Sequence, residues 1–252
     1  VKCSHNFLTE PLFIHPLSSE PYPFPDGFAS KSGSHTEAIQ TAIGGIQTDN
    51  WHKRFFLYWR RWQENATALA NNQALAFLPA DTRIPDHTIW NHMAVTAALA
   101  PCIVNGEVRP ELLLFQFGSV QDFIAQARSP RDLWSGSYLI SWLVAHAIKA
   151  VTDEIGPDAV IFPSLRGNGI FDALHRENYY DTQWKQGEQG QTQTTWERLI
   201  NDKGSVAKVA DWLLTPTLTN RFLAVVPPGR GTDLAEAAQK AGRRFSVSGM
   251  LK

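Results

Sequence analysis

Residues Leu112 to Ser137, LLLFQFGSVQDFIAQARSPRDLWSGS, decide how the chain is read. The apolar run Leu112 to Phe117 stops at Gly118. Ser119-Val120-Gln121-Asp122 then has the pattern of a capping box, with Ser119 accepting a free helix N–H and Asp122 reaching back. A strand thus delivers a helix N-terminus. Further on, Ser129-Pro130-Arg131-Asp132 repeats the signal with proline at the first helical position, where its missing N–H costs nothing. The N–H groups and positive dipole end at Ser119 to Gln121 make an anion site, and Gly118 lets a phosphate approach the main chain. An ordinary capped helix accounts for the same residues, and both readings stand.

Downstream, a helix is expected from Pro130 to about Ile155, with Leu133, Ile140, Val144, Ala147, Ile148, Val151 and Ile155 on one face and Gly156-Pro157 ending it. Ser135, Gly136, Ser137 and Ser141 keep one side small enough for close approach of a backbone or ligand. Ala159 to Phe162 reads as a short buried strand, and Arg166-Gly167-Asn168-Gly169 as a flexible basic loop. Gln183 to Thr195 is a polar surface insertion without apolar period, followed by a helix from about Trp196 to Leu214. Arg221 to Val226 is a third strand, stopped by Pro227-Pro228-Gly229, and Asp233 to Arg243 is an amphipathic helix. Strand, helix, strand opens a ferredoxin-like split unit. A complete one needs a further strand, and Arg244 to Lys252 is too short and polar to settle whether it supplies it.

Upstream, residues 1–50 are rich in proline, glycine and serine and read as loops with one short helix at Thr36 to Ile43. Trp51, Phe55, Tyr58 and Trp62, followed by Leu69, give a helix with one aromatic face over Trp51 to Asn71. Arg54, Arg60 and Arg61 among them allow two readings, a core face with solvated arginines or a stacking surface for single-stranded RNA. In Pro79 to Ala100, a helix carries Ile89, Met93, Ala97 and Ala100 on one side. Asp81, Asp86, His87 and His92 invite a metal hypothesis, although His87 and His92 lack the i, i+4 spacing that puts two ligands on one helical face. Pro101 to Pro110, with Asn105-Gly106, is the expected domain boundary.

The 252 residues, 43% hydrophobic, suit one large or two small domains. Lys and Arg number 23 against 24 Asp and Glu, so no global positive field marks a free-standing nucleic-acid binder. Cys3 and Cys102 make neither a disulfide framework nor a cysteine metal site, which agrees with the cytoplasm. No apolar run approaches a membrane span.

GSVQDFIAQARSPRDLWSGSYLISWL resembles the first palm segment of the large subunit of type III-B, Cmr-type CRISPR effector complexes. Pro79 to Ala100, Asp158 to Asp172 (DAVIFPSLRGNGIFD) and Thr219 to Gly229 (TNRFLAVVPPG) follow the family order, and HPLSS at His15 to Ser19 adds to them. The resemblance implies an α+β chain: a mainly helical HD-like part over 1–105 and a ferredoxin-like palm, incomplete, over 106–252. In the family, two palms bind ATP with Mg or Mn between them, and target RNA switches on synthesis of cyclic oligoadenylate. Partners are then other Cmr-type subunits, guide RNA, target RNA and ATP, with no membrane.

The chain departs from the family in two places. No His-Asp pair occurs, since Asp86-His87 is reversed and Asn91 stands where aspartate is usual, so the HD site is degenerate or upstream of Val1. Gly44-Gly45 is followed by Ile46-Gln47, so the Gly-Gly-Asp-Asp motif of the second palm is missing, and whether such a palm follows Lys252 stays open. No catalytic residue is assigned. Gly118, Ser119 and Gln121 would meet phosphate or ribose, and Arg166 would neutralise phosphate from the neighbouring strand-end loop. A chain starting at Val1 reads as a fragment inactive alone. Two other readings are a non-catalytic scaffold subunit and a metal-dependent HD phosphohydrolase using Asp81, Asp86, His87 and His92.

Overall fold

The computed structural model describes residues 12–14, 19–23, 37–38, 40–42, 48–71, 73–81, 86–118, 120–180, 183–184, 193–194, 196–197 and 215–248. In chain order its elements are β1 (Leu12–Ile14), β2 (Pro21–Pro23), α1 (Trp51–Ala70), α2 (Ile89–Leu99), β3 (Ile103–Val104), β4 (Glu107–Val108), β5 (Glu111–Gln116) and α3 (Val120–Ala125). There follow α4 (Pro130–Ile155), β6 (Val160–Phe162), α5 (Gly169–Leu174), β7 (Gln183–Trp184), β8 (Gln193–Thr194), β9 (Arg221–Val226) and α6 (Gly231–Ser248).

The chain is mixed helix and sheet. Its central sheet has the order β5-β9-β6, with both outer strands antiparallel to β9 and therefore parallel to each other. Leu113 and Phe115 of β5 share the covered face with Phe222, Ala224 and Val226 of β9. Against that face pack Val144, Ile148 and Val151 of α4 and Leu234 and Ala238 of α6. The opposite face is only partly covered, by Ala98 and Cys102 over Val225. There Leu112 stays 68% and Leu114 63% exposed. Ala159 to Phe162 is for the same reason not a buried strand throughout: Val160 is buried, while Ile161 and Phe162 are exposed.

Local signals place the helix ends. Ser129 caps α4 by accepting from Asp132 N–H, with Pro130 in the first turn, and Gly156 closes it at φ 102°. Asn50 caps α1 through Lys53 N–H, and Asn71 ends it in the left-handed region at φ 47°. Asn105 and Gly106, both at positive φ, turn the β3–β4 hairpin. Helix α6 runs on through Arg244 to Ser248, so these residues lengthen the helix rather than the sheet. Most of Trp196 to Leu214, the expected helix, lies outside the described residues, as does most of the polar insertion, of which β7 and β8 pair.

Two helix faces differ from expectation. In α1 the buried positions are Phe56, Leu57, Trp59, Arg60, Arg61, Asn65, Ala66 and Thr67, whereas Trp51 is 76% exposed. In α2 they are Trp90 and Ala98, whereas Met93 is 42% exposed. Each helix is turned by a polar anchor that its own period does not reveal. Arg60 seeks Asp172, and the Trp90 indole donates to Leu75 O at 2.9 Å while its ring meets Trp62 edge-on. Phe56, Leu57 and Trp59 belong to the same core as the sheet, so packing continues across the Asn105-Gly106 turn.

Candidate nucleotide site at one end of the sheet

Because β5 and β6 are parallel, Gly118 after one and Arg166 after the other lie at the same end of the sheet. The start of β9 lies between them, which puts the two strand ends ~10 Å apart at ordinary strand spacing. Phe117 N–H donates to Asn220 O at 2.9 Å, and Asn220 Nδ2 donates to Phe117 O at 3.2 Å. Asn168 caps α5 through Phe171 N–H at 3.0 Å and donates from Nδ2 to Thr217 Oγ1 at 2.6 Å. Ser141 of α4 donates to Leu218 O at 2.9 Å.

Gly118 is exposed and sits outside the left-handed region, and a Cβ built on it meets nothing within 4 Å among the described residues. Approach of a group to the main chain at Gly118 is therefore unobstructed by the described residues. Ser119 lies outside the described residues; Gln121 and Asp122 are exposed on the first turn of α3. The small side of α4 receives a side chain at Gly136, where a Cβ would stand 3.3 Å from Phe123 Cε1.

Arg166 is turned toward α1. Its Nε donates to Trp59 O at 3.2 Å, Nη1 lies 3.4 Å from Gln63 Oε1, and the guanidinium stacks over the Trp59 ring at 5.3 Å. Burial and the positive charge of Arg60 push its pKa down. The structure thus brings Gly118, Gln121 and Arg166 to one end of the sheet, with the Arg166 head group engaged by a helix.

The residue that sequence reasoning missed is Asp172. Its carboxylate takes Arg60 Nε at 2.9 Å and Nη2 at 2.8 Å, and Tyr180 OH at 2.6 Å, with both charged side chains fully buried. Arg60 Nη1 also reaches Glu64 at 2.7 Å. Burial works against the Arg60 charge, but the two carboxylates outweigh it and hold its pKa well above the ordinary value. Burial, then the Asp172 charge, pushes Tyr180 up. The available signal was a lone carboxylate in the apolar run Gly169-Ile170-Phe171-Asp172-Ala173-Leu174.

The histidine cluster is looser. Asp86 Oδ1 meets His87 Nδ1 at 2.6 Å, and the His87 and His92 rings stack with centroids 5.7 Å apart. His87 is 41% exposed. Asp81 is half-buried at the start of the same loop. Among the described residues no group of three or more His, Cys, Asp or Glu is arranged to hold a metal. Nor is any described helix long and apolar enough to cross a membrane.

Residues 112–246 match the family model of CRISPR-associated protein Cmr2, N-terminal. That span exceeds half of the chain, and the chain belongs to the Cmr2 family, the large subunits of type III-B systems. It is 45% identical over 94 residues to the CRISPR system Cmr subunit Cmr2 of Pyrococcus furiosus, covering 37% of this chain and 10% of that protein. With the CRISPR system CMR subunit Cmr2 of Saccharolobus solfataricus it shares 42% identity over 95 residues, covering 37% and 9%. The matches thus cover about a tenth of these curated relatives. Two cryo-EM structures share the fold. The type III-B Cmr-beta bound to cognate target RNA superposes with TM-score 0.61 at 24% identity, over 91% of this chain and 24% of that one. The apo Cmr-beta does so with TM-score 0.59 at 24% identity, over 86% and 21%.

Proposed function

We propose that this chain supplies one half of a nucleotide pocket in the large subunit of a type III-B antiviral ribonucleoprotein. The complete form would make cyclic oligoadenylate from ATP when target RNA is bound. The observation that carries this is Gly118, an exposed glycine at the end of a strand leading to a helix start, where a Cβ would meet nothing within 4 Å among the described residues and a phosphate has room to approach the main chain. Gly118, Ser119 and Gln121 would contact phosphate or ribose, with Arg166 at the rim. Other Cmr-type subunits, guide RNA and target RNA would be its partners, in the cytoplasm.

The β5-β9-β6 order with α4 and α6 on one face supports a ferredoxin-like palm over 106–252, with three strands of its sheet among the described residues. The helical residues within 1–105 would then be a degenerate HD-like part. Metal-assisted transfer calls for carboxylates converging on the ions. In this sheet the one carboxylate is Glu111, whose oxygens accept from Gly229 N–H at 2.6 Å and Gly231 N–H at 3.1 Å. Mg or Mn would therefore be held by groups other than the strands described here, and no catalytic residue is assigned.

That absence of converging carboxylates in the sheet also favours a second reading, a non-catalytic scaffold subunit. The full-length gene product, assembled with its Cmr-type partners and guide RNA and given target RNA and ATP, separates the two. Cyclic oligoadenylate supports the pocket; a complex that assembles but binds no ATP leaves the scaffold.

A further inference from the structure

We infer that Arg166 is a positioning residue that clamps the loop leaving β6 onto α1 and, through Asn168 and Thr217, holds the sheet end at which Gly118 opens. Three contacts fasten it to one turn of α1: Nε to Trp59 O at 3.2 Å, Nη1 to Gln63 Oε1 at 3.4 Å, and the guanidinium over the Trp59 ring at 5.3 Å. Gln63 is itself fixed, its Nε2 donating to Ala76 O at 3.0 Å. Two residues past Arg166, Asn168 caps α5 and reaches Thr217 Oγ1 at 2.6 Å. From Thr217 the chain runs directly to Asn220, which exchanges hydrogen bonds with Phe117, the neighbour of Gly118. The links from Gln63 to Gly118 are thus hydrogen bonds and short covalent stretches. A guanidinium stacked on an indole and donating twice to α1 is held in one orientation, and α1 turns that commitment into a fixed loop.

The nucleotide reading matters here only for what the held end would serve, and the test needs no nucleotide. Amide hydrogen exchange would be followed on the full-length gene product in peptides spanning 165–172 and 115–118. These contain the bonded amides of Asn168, Phe171, Asp172 and Phe117. In Arg166→Ala both peptides exchange about tenfold faster, the scale of a lost hydrogen bond and a lost cation–π contact. Arg166→Lys does not restore protection, because an ammonium cannot keep both donor directions and the stack. Should Arg166→Ala fail to fold, Gln63→Ala removes one of the three contacts to Arg166, together with the Gln63 Nε2 bond to Ala76 O, and gives a smaller rise in the same two peptides. Unchanged exchange, or a rise confined to 165–172, would overturn the proposal. Absent ATP binding with faster exchange in both peptides would instead sink the nucleotide reading and leave the clamp.

Discussion

Two clusters of charged side chains contain residues from the N-terminal half, and their fates are opposite. Arg60, on a helix whose arginines read as solvated or RNA-facing, is fully buried against Asp172, 112 residues further along, and beside Tyr180, which bonds the same carboxylate. Asp86, His87 and His92, which read as candidate metal ligands, form an exposed hydrogen bond and a ring stack. Residue type was a poor guide to which cluster matters. What separates them is desolvation: the Arg60 cluster has given up water and depends on its partners, while the histidines keep it.

The largest effect that would break this contrast is at Asp172. Asp172→Ala leaves Arg60 buried without its bidentate partner and is expected to cost about 3–5 kcal/mol in denaturant unfolding. A cost below ~1 kcal/mol would place Arg60 among ordinary surface charges.

Asp158 sharpens the comparison, being buried like Arg60 but with Oδ1 lacking a hydrogen-bond partner among the described residues. Burial raises its pKa to about 6, against two backbone hydrogen bonds that lower it. A carboxyl with a raised folded pKa favours folding fully below its unfolded value near 4, and that advantage is lost as pH rises toward 6. Asp158→Asn is therefore expected to match the wild type at pH 4 and to be more stable at pH 7, by up to ~3 kcal/mol. Equal pH profiles of melting would contradict this.

Gly231 tests a charged contact between strand and helix. A Cβ there would stand 2.7 Å from Glu111 Oε2, the flexible end of an exposed side chain that can move aside at the loss of its hydrogen bond to Gly231 N–H, so Gly231→Ala is expected to cost about 1 kcal/mol in thermal unfolding. At the small end, His87→Ala should change stability by less than ~0.5 kcal/mol, measured by the same melts.

The ends of α4 and β9 were legible because proline, glycine and serine mark them locally. Pro130 to Ile155 and Arg221 to Val226 are found as read. The faces of α1 and α2 were not legible, since Asp172 and Leu75, which turn them, lie outside any helical period. The same holds for the site. A strand, a crossover helix and a parallel strand put Gly118 and Arg166 at one end of the sheet by topology alone. The direction of the Arg166 side chain depends on Trp59 and Gln63, more than 100 residues earlier in sequence.

The most direct test of the nucleotide pocket is calorimetric titration of ATP with magnesium into the full-length gene product, wild type and Gly118→Val. Since an added Cβ at Gly118 meets open space, the variant should melt within about 2 °C of the wild type. Its ATP affinity should fall at least ~tenfold, a loss of about 1.4 kcal/mol. Equal affinity in the two proteins, or no binding by the wild type, would contradict the placement of a nucleotide at this end of the sheet.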